Sequence, residues 1–313
     1  IPSSGSESLS QNAHHHAGGQ PDRWDYLSLA ACGFIWGTTW LVLKFQLGSL
    51  SPVVSIMYRF IASGLLIFPI SRLQGQRLRL TRREHLLAAT QGILVFGAGY
   101  VMAYSAEEHA PSALVAVVFA SLSLVNTGLF RLVLGQRAAR GAWIGAGLGA
   151  VGVACLSAGQ VLGSPLRSDL LLGVGLTLGS VLFNAFGNLA TRVNQSGGAP
   201  VSTLTGWAML YGSAALFLTA LVTHANFVPP MTFSFWASFA YLTVFGSVVG
   251  FLVYYALAHR RGFTLASYTG ALTPPVAMLV SSLFEHVHWD LSALVGIVLI
   301  VSGQVMIIRS TRR

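Results

Sequence analysis

Charged residues are scarce in this sequence. They make up only 9% of its 313 residues, while hydrophobic residues make up 54% and the mean hydropathy is +0.67. A soluble globular domain carries about 25% charged residues, so the composition excludes an ordinary water-soluble enzyme, a disordered chain and a nucleic-acid-binding module. Cysteine is rarer still, with only two residues. Cys32 and Cys155 both lie inside apolar runs, which argues against a disulfide scaffold and predicts two small core residues.

The residues that catalytic motifs require are also missing. Lys44 is the only lysine and follows Leu43, so the sequence has no phosphate-binding G-x-x-x-x-G-K-[ST] loop. The four aspartates are unpaired, and neither G-x-S-x-G nor H-E-x-x-H occurs. These absences argue against a primary pump, a hydrolase and a metalloenzyme. We therefore predict a protein that is not an enzyme and needs no cofactor.

Long hydrophobic runs fill almost the whole chain after Pro21. A helix needs about 20 mostly apolar residues to cross the hydrocarbon core, and the runs lack the alternation of barrel strands. We predict an all-α integral membrane protein with ten transmembrane helices, preceded by a polar segment 1–21 that is a disordered tail or an expression remnant. The predicted spans are Tyr26 to Phe45, Pro52 to Ile70, His85 to Tyr104, Pro111 to Leu134, Gly141 to Ala158, Asp169 to Thr191, Pro200 to Thr223, Ser234 to Ala258, Thr264 to Phe284 and Leu291 to Ile308.

Basic residues are distributed unevenly among the predicted loops. When alternate loops are assigned to opposite sides, nearly all arginines outside the spans fall on one side, and only Lys44 and Arg167 fall on the other. In membrane proteins the side rich in arginine is cytoplasmic. We therefore expect a multi-pass protein of the cell (inner) membrane with both termini in the cytoplasm. This distribution accounts for the net charge of +9 without a nucleic-acid partner.

The sequence repeats itself weakly at a nearly constant offset. Because each half holds five predicted spans and five is odd, the second half enters the membrane from the opposite side. We predict two inverted repeats, residues 22–160 and 161–313, a recurring plan of secondary transporters. The matching positions, in chain order, are Lys44 with Arg192 and Ser51-Pro52 with Ala199-Pro200 at an offset of 148, Phe96-Gly97 with Phe245-Gly246 at 149, and Gly145 with Gly296 and Gly152 with Gly303 at 151.

A set of motifs marks the start and the end of the first repeat. Near its start are Trp36-Gly37-Thr38-Thr39-Trp40, Lys44, Ser51-Pro52 and Arg59, and near its end is Gly135-Gln136-Arg137. With these motifs the first repeat resembles the EamA domain of the drug/metabolite transporter superfamily. The second half is similar but departs from the pattern, with Asn184 where a tryptophan is expected. The resemblance implies ten helices and the export of small metabolites, and within the superfamily it favours YddG-type amino-acid exporters.

Polar and aromatic side chains within the spans are the candidates for a transport site, because polar groups in lipid face a bundle interior or a wet cavity. Asn184 and Asn188 are four residues apart and share one helical face, and the repeat aligns them with Trp36 and Trp40. Amides and indoles together suit a zwitterionic or aromatic solute. The alternative is hydrogen bonding between helices, a common role of asparagine in membranes.

Further candidates lie on the third, fourth, eighth and ninth spans. Tyr100 is deep enough to line the site, whereas Tyr104 is expected in the interfacial aromatic belt. Polar groups interrupt the fourth span, and the ninth carries hydroxyl groups beside Pro274-Pro275, which predicts a hinge, a binding segment or a plain kink. The full set of predicted substrate-binding residues is Trp36, Thr39, Trp40, Tyr100, Ser121, Asn126, Asn184, Asn188, Tyr254, Tyr268 and Thr273.

Two cations have a predicted charge role. Lys44, at the outer end of the first span, either attracts an anionic group or anchors at the interface. Arg59 lies within the second span and has to find a carboxylate, backbone carbonyls or water. A structural ion pair or packing role is its first interpretation, and substrate contact is the second.

The carboxyl groups lie at span ends rather than mid-span, so a buried proton relay has no obvious carrier. Proton coupling would depend on Glu107, Glu108, Glu285 and Asp290. His286 and His288 beside Glu285 predict a solvated loop rather than a metal site. A stripe of small residues at Gly141, Gly145 and Gly149 predicts close packing within the bundle or a contact in a homodimer.

The leading interpretation is a secondary transporter in the lipid bilayer that exports a small-molecule substrate, most of all neutral or aromatic amino acids, by alternating access at a central cavity between the repeats. A carrier of phosphorylated metabolites would gather more cations than Arg59 and Lys44. The alternatives are an exporter of hydrophobic drugs or other metabolites, and a passive channel. A carrier saturates and shows counterflow, which distinguishes it from a channel.

Overall fold

A computed structural model describes residues 22–48, 50–135, 140–162, 167–196, 198–261, 266, 269–285 and 291–310. These residues form helices α1 to α10, and none of them lies in a strand. Three of the helices consist of consecutive segments. The bounds are α1 (Arg23–Lys44), α2 (Pro52–Leu73), α3 (Arg82–Gln91, Gly92–Gly99 and Tyr100–His109), α4 (Ser112–Phe119 and Leu122–Leu134), α5 (Arg140–Leu162), α6 (Arg167–Ser196), α7 (Val201–Val222), α8 (Phe233–Tyr241, Leu242–Val249 and Gly250–Arg261), α9 (Thr269–Phe284) and α10 (Leu291–Ser310).

The helices have the length and polarity of membrane spans. Seven of them are long and apolar enough to cross a membrane, and shorter apolar stretches lie in α5, α9 and α10. Each predicted span coincides with one helix. Large apolar side chains such as Leu66, Leu132 and Leu218 are exposed, which suits contact with lipid. The protein is an all-α membrane protein of ten helices, and its predicted tail, residues 1–21, lies outside the described residues.

Local signals in the sequence determine where several helices begin. Asp22 caps α1 by accepting a hydrogen bond from the backbone N–H of Asp25, whose carboxylate accepts one from the N–H of Asp22 in return. Thr81 and Glu84 form the same reciprocal capping box at the start of α3. Such a box satisfies two of the backbone donors that a helix leaves unpaired at its start. Pro52 begins α2, a position where no backbone N–H is needed.

The packing of the helices repeats when five is added to each helix number. α2 packs on α7 and α5 on α10, so these pairs map onto themselves. The contact of α1 with α9 is matched by that of α6 with α4, and the contact of α1 with α8 by that of α6 with α3. The bundle thus consists of two five-helix repeats, which are inverted because an odd number of spans separates equivalent helices. The boundary predicted between residues 160 and 161 falls near the end of α5 and stays a prediction.

Each repeat contains a π-helical segment in its third helix. The segments are Gly92–Gly99 in α3 and Leu242–Val249 in α8. They contain Phe96-Gly97 and Phe245-Gly246, which the sequence aligns at an offset of 149. π-helical turns are rare and frequently lie at functional sites. The sequence repeat therefore has a structural counterpart in both halves.

The glycine stripe of α5 packs against α10 within the chain. A Cβ atom added to Gly303 would lie 2.4 Å from the carbonyl oxygen of Gly145, and one added to Gly152 would lie 2.5 Å from that of Gly296. The offset of 151 aligns Gly145 with Gly296 and Gly152 with Gly303, so the two contacts are equivalent in the two repeats. Of the two predicted uses of the stripe, the structure has packing within the bundle, and the homodimer stays a prediction.

We predict that Gly152→Ala destabilises the protein, because the added methyl group has to displace the backbone of α10. Overpacking of this kind costs about 1–3 kcal/mol. Gly147→Ala is the matched control on the same helix, since nothing lies within 4 Å of the Cβ position at Gly147. Thermal unfolding in detergent, followed by circular dichroism, should give a lower midpoint for G152A than for wild type and an unchanged or higher midpoint for G147A. Equal midpoints for the two variants would contradict this packing.

Candidate functional site

A buried arginine lies where the two repeats meet. Arg59 on α2 is only 2% exposed. Its Nε donates to Oγ of Ser247, in the π-helical segment of α8, at 3.0 Å, and its Nη1 donates to Oη of Tyr104 on α3 at 3.2 Å. The guanidinium carbon lies 5.3 Å from the ring centroids of Phe60 and Tyr100. Two neutral oxygens and two aromatic rings therefore surround the cation.

No carboxylate pairs with Arg59 in the part of the chain that the structure describes. The structural ion pair considered from the sequence is not formed there, and hydroxyl groups and rings take its place. Burying a charge is costly unless an opposite charge compensates it, and hydroxyl oxygens offset the positive charge only partly. The site can therefore stabilise an anionic group such as a carboxylate, which is a strong partner for guanidinium.

Both oxygens that accept from Arg59 are oriented by further hydrogen bonds. Tyr104 Oη donates to Oε1 of Gln46 at 3.3 Å, and Ser247 Oγ donates to the carbonyl oxygen of Leu242 at 3.0 Å. The second bond reaches five residues back along the chain, so it depends on the π-helical turn. Each hydroxyl has one proton, and both protons are used in this way. The oxygens therefore present lone pairs to the guanidinium group.

Tyr104 corrects one expectation from the sequence. Its side chain is fully buried, so its assignment to the interfacial belt is wrong. The physical reason is that α3 continues past Tyr104 to His109, which places the tyrosine inside the bundle rather than at a helix end. The spacing of four residues between Tyr100 and Tyr104 is the sequence signal that could have indicated a shared inner face.

A row of aromatic rings extends from Arg59 across the interface between the repeats. Adjacent ring centroids are separated by 4.7 Å, 4.8 Å, 5.9 Å, 5.6 Å and 5.4 Å, the range of favourable aromatic pairs. The sequence predicts three of these rings, those of Tyr100, Trp36 and Tyr254, as site residues. It does not predict the three phenylalanines. Phe60 directly follows Arg59 and Phe96 precedes Tyr100 by four residues, which are the sequence signals for two of them. We call these six residues the aromatic row. In spatial order they are Tyr100, Phe60, Phe96, Phe251, Trp36 and Tyr254.

Trp36 and Asn184 occupy equivalent positions, as the repeat alignment predicts. Nε1 of Trp36 donates to the carbonyl oxygen of Gly246 at 3.2 Å, and a Cβ atom on Gly250 would lie 2.7 Å from that nitrogen. Nδ2 of Asn184 donates to the carbonyl oxygen of Ser180 at 2.9 Å, and a Cβ atom on Gly99 would lie 2.5 Å from it. Both side chains thus pack on a glycine at the end of a π-helical segment. The indole nitrogen of Trp36 and the amide nitrogen of Asn184 each donate to a backbone carbonyl oxygen.

The other predicted asparagine, Asn188, joins α6 to α4. Its Nδ2 lies 3.5 Å from Oδ1 of Asn126, which is the interhelical role considered as the alternative. Ser121 lies at the break between the two segments of α4, is 8% exposed, and its hydroxyl has no hydrogen-bond partner among the described residues. Trp40 packs beside this break, with its ring centroid 5.3 Å from that of Phe119. Among the described residues, no hydrogen bond joins Asn184 or Asn188 to the two tryptophans.

The predicted threonines bind their own helices. Oγ1 of Thr39 donates to the carbonyl oxygen of Trp36 at 2.7 Å, and Oγ1 of Thr273 donates to that of Thr269 at 3.0 Å. Back-bonding of this kind is common for hydroxyl side chains within helices. Thr39 also lies close to the π-helical segment of α8, since its methyl group is 2.8 Å from the Cβ position at Gly246. Tyr268 lies outside the described residues.

Lys44 forms an ion pair rather than standing free. Its Nζ lies 2.6 Å from Oε1 of Glu285, which joins the end of α1 to the end of α9. Burial acts to raise the pKa of Glu285, but hydrogen bonds from Lys44 and Ser281 hold that pKa below its ordinary value. The lysine is therefore engaged by a carboxylate at one end of the bundle. We call the end with Lys44 and Glu285 the acidic end, and the opposite end, with Arg72 and Arg83, the basic end.

The repeats are closed against each other at the acidic end. There, α1 and α9 both pack on the first segment of α4, Ser112–Phe119. The second segment, Leu122–Leu134, packs on α6 and α5, as the first segment also does. At the basic end, the first segment of α3, Arg82–Gln91, packs on α6 and α7 of the second repeat. The repeats are therefore in contact at both ends of the bundle.

Comparison with known proteins gives two matches to one family along the chain. The EamA-like transporter family matches residues 23–158 and 171–309, each range covering five of the helices. The uncharacterized inner membrane transporter YedA of Escherichia coli (strain K12) is 29% identical over 82% of this chain and 81% of its own. The uncharacterized transporter YvbV of Bacillus subtilis (strain 168) is 30% identical over 88% of this chain and 89% of its own.

More distant similarities support the same architecture. Protein PecM of Dickeya dadantii (strain 3937) is 25% identical over 90% of this chain and 91% of its own. A crystal structure of a protein with 17% identity has a TM-score of 0.66 and covers 92% of this chain and 98% of its own. At that level of identity the crystal structure shows a shared fold.

We predict that Tyr104→Phe destabilises the protein, because it leaves Nη1 of Arg59 and Oε1 of Gln46 without their partner. Leaving buried polar groups unpaired costs about 1–3 kcal/mol. Tyr26→Phe is the control, since Tyr26 is 58% exposed. Thermal unfolding in detergent should show a lower midpoint for Y104F and no change for Y26F. Indistinguishable midpoints would contradict the role of the Tyr104 hydroxyl.

Proposed function

Because the chain belongs to the EamA-like transporter family, and is thus a membrane transporter rather than an enzyme, we propose that it exports neutral or aromatic amino acids by alternating access. In this proposal the substrate binds in a central cavity between the repeats, which opens to one side of the membrane at a time. The observation that carries the proposal is buried Arg59, which offers one fixed positive charge beside an aromatic surface.

The number of available cations favours a substrate with a single carboxylate. Arg59 offers N–H donors within the bundle, and a carboxylate binds guanidinium strongly. A phosphorylated metabolite carries more negative charge and would need further cations. Lys44 does not supply one, because it is paired with Glu285 at 2.6 Å. A monocarboxylate such as an amino acid therefore matches the charge of the site better than a phosphate ester does.

The aromatic row favours an apolar or aromatic substrate side chain. It begins beside the cation, since the ring of Tyr100 lies 5.3 Å from the guanidinium carbon of Arg59. Aromatic rings pack well against one another and against apolar groups. The same row would suit a hydrophobic drug or metabolite, which is the second candidate. The two candidates differ in their need for Arg59, because a neutral drug gains nothing from a buried cation.

The symmetric packing of the two halves supports alternating access. The contact of α1 with α9 is matched by that of α6 with α4. In inverted-repeat transporters, the second conformation arises when the two halves exchange their arrangements. The described conformation corresponds in this proposal to a state closed at the acidic end, where α1 and α9 pack on the first segment of α4.

We further propose that the protein lies in the inner membrane, as the name of the relative YedA suggests, and that its basic end faces the cytoplasm, as the distribution of arginines favours. With Cys32 and Cys155 replaced by alanine, a cysteine at exposed Arg79 should be protected from a membrane-impermeant maleimide in intact cells, and one at exposed Asn226 should react. Both should react after permeabilisation. The reverse pattern would contradict this orientation.

We predict that Arg59→Met lowers amino-acid counterflow by about tenfold or more, because a charge-assisted hydrogen bond contributes about 1.5–3 kcal/mol. Its unfolding midpoint should stay at or above that of wild type, since an apolar side chain replaces a buried cation. Arg72→Met, at the exposed end of the same helix, is the matched control. The measurement is uptake of labelled threonine, methionine and phenylalanine into proteoliposomes loaded with the unlabelled amino acid.

Three outcomes of this experiment lead to different conclusions. Saturable uptake that falls in R59M and not in R72M supports an amino-acid carrier. Uptake that is unchanged in R59M contradicts the role of the cation. A folded, inserted wild type without counterflow for any amino acid contradicts the proposed substrate, and drug transport that is independent of Arg59 would then favour the second candidate.

A further inference from the structure

Two carboxyl groups from different repeats meet at the acidic end. Glu107 on α3 is 2% exposed, and Glu285 follows the last residue of α9. The hydroxyl oxygen of Ser112, at the start of α4, lies 2.9 Å from Oε2 of Glu107 and 3.1 Å from Oε1 of Glu285. Lys44 on α1 completes the cluster. The cluster therefore joins α1, α3, α4 and α9 at the end where the repeats are closed.

Counting protons shows that this cluster needs one more than its serine supplies. A serine hydroxyl has a single proton and can donate to only one of the two carboxyl groups. The other contact is favourable only when a carboxyl group carries a proton and donates it to the serine oxygen. If both glutamates were ionised, the serine proton could lie between the serine oxygen and only one of the two carboxylates. The other carboxylate oxygen would face the serine oxygen with no hydrogen between them. A proton on one of the two glutamates would supply the missing hydrogen.

The surroundings identify Glu107 as the neutral one. Glu285 accepts from Ser281, from the backbone N–H of Ser112 and from Lys44, and these donors stabilise its negative charge. Glu107 has only the contact with Ser112, and its Oε1 has no hydrogen-bond partner among the described residues. An ionised carboxylate in that position would be buried with one oxygen uncompensated.

The other charged groups near Glu107 do not change this assignment. Lys44 on α1 attracts it but is in direct contact with Glu285. On α3, His109 is paired with Asp169 of α6 at 2.6 Å, and Tyr104 donates to Gln46. Glu108 is exposed. The segment after Glu285, with His286, His288 and Asp290, lies outside the described residues.

We propose that Glu107 is a proton-binding site that closes the acidic end of the bundle. With its proton, Glu107 donates to Ser112, which donates to Glu285, so α3, α4 and α9 are joined by one chain of hydrogen bonds. Without it, two carboxylates share one lysine in a poorly solvated place, and like charges repel strongly there. Loss of the proton therefore separates α1 and α9 from α3 and α4. The proton exchanges with the compartment at the acidic end.

The direction of the expected opening follows from the symmetry of the fold. The second segment of α4 packs on α6, and the symmetric counterpart of this contact is the packing of α9 on α1. We therefore expect α9 to move together with α1, away from α3, α4 and α6, when the acidic end opens. The inference rests on the alternating-access part of the proposed function and is independent of the substrate.

The test compares Glu107→Gln with Glu108→Gln, its exposed neighbour. Glutamine keeps a donor toward Ser112 and cannot ionise, so it imitates the protonated state. Spin labels are placed at Leu172 on α6 and Leu283 on α9, which are 49% and 64% exposed, with both native cysteines replaced by alanine. Distances are measured by pulsed electron paramagnetic resonance in lipid nanodiscs, from mildly acidic to mildly alkaline pH.

Wild type and E108Q should gain a population with a longer distance as the pH rises, and E107Q should keep the short distance at every pH. Infrared spectroscopy gives a second readout on the wild type, in which the carbonyl band of a neutral carboxyl group should be lost in E107Q and kept in E108Q. An infrared band that persists in E107Q would overturn the proton site. If the distance between the spin labels in wild type does not change with pH, the role of Glu107 in closure would be overturned.

Neither measurement uses a transported substrate, so a failure of amino-acid counterflow leaves both results interpretable. If E107Q does not fold, the wild type still decides the question. The neutral-carboxyl band and the longer distance should then change over the same range of pH, and a mismatch between the two ranges would overturn the proposal.

Discussion

Close approach of helix backbones is the constraint on which this structure depends. Helices in lipid gain little from the hydrophobic effect when they pack on one another, so van der Waals contact and hydrogen bonds between helices have to hold the bundle together. A Cβ atom on Gly92 would lie 2.3 Å from the carbonyl oxygen of Ala208, which shows how closely α3 meets α7. The same holds at the site, where the Cβ position of Gly246 lies 3.2 Å from the guanidinium group of Arg59. A larger residue at Gly246 would push α8 away and break the bond between Arg59 and Ser247.

The scaffold is symmetric, but the chemistry placed on it is not. At the offset of 148, Arg59 corresponds to Trp207, whose Nε1 donates to the carbonyl oxygen of Leu78 at 3.2 Å. At this position the second repeat has a tryptophan that binds the backbone of the first repeat, whereas the first repeat has a buried cation. Trp36 and Asn184 differ in chemistry but share one packing role against a glycine. The packing has to be preserved in both halves for the fold to close, whereas a single binding site needs its charge only once.

The sequence predicts the spans and the repeat better than it predicts the inner faces. A continuous apolar run reports the thickness of the membrane, and glycines that touch across the repeats keep their spacing, so both features are visible in the chain. In lipid, however, both the outer and the inner face of a helix are apolar, so the apolar pattern alone does not distinguish Phe60 and Phe96 as buried members of the aromatic row. Tyr104 is the last residue of the predicted third span, and a tyrosine at a span end is typical of the interfacial belt, whereas α3 continues to His109. The side chain of Asn184 packs on Gly99, which is distant in sequence.

Hydrogen bonds to backbone carbonyl oxygens join the repeats at both ends of the bundle. At the basic end, Thr203 donates to the carbonyl oxygen of Arg77 at 2.9 Å, and at the acidic end Tyr58 donates to that of Phe227 at 2.8 Å. Carbonyl oxygens keep the same acceptor capacity at any pH. The acidic end also has the two carboxyl groups bound to Ser112, whose balance of donors and acceptors changes with one proton. A two-state protein responds to whatever binds one state better, so a change confined to the acidic end can shift the whole bundle without any contact with Arg59.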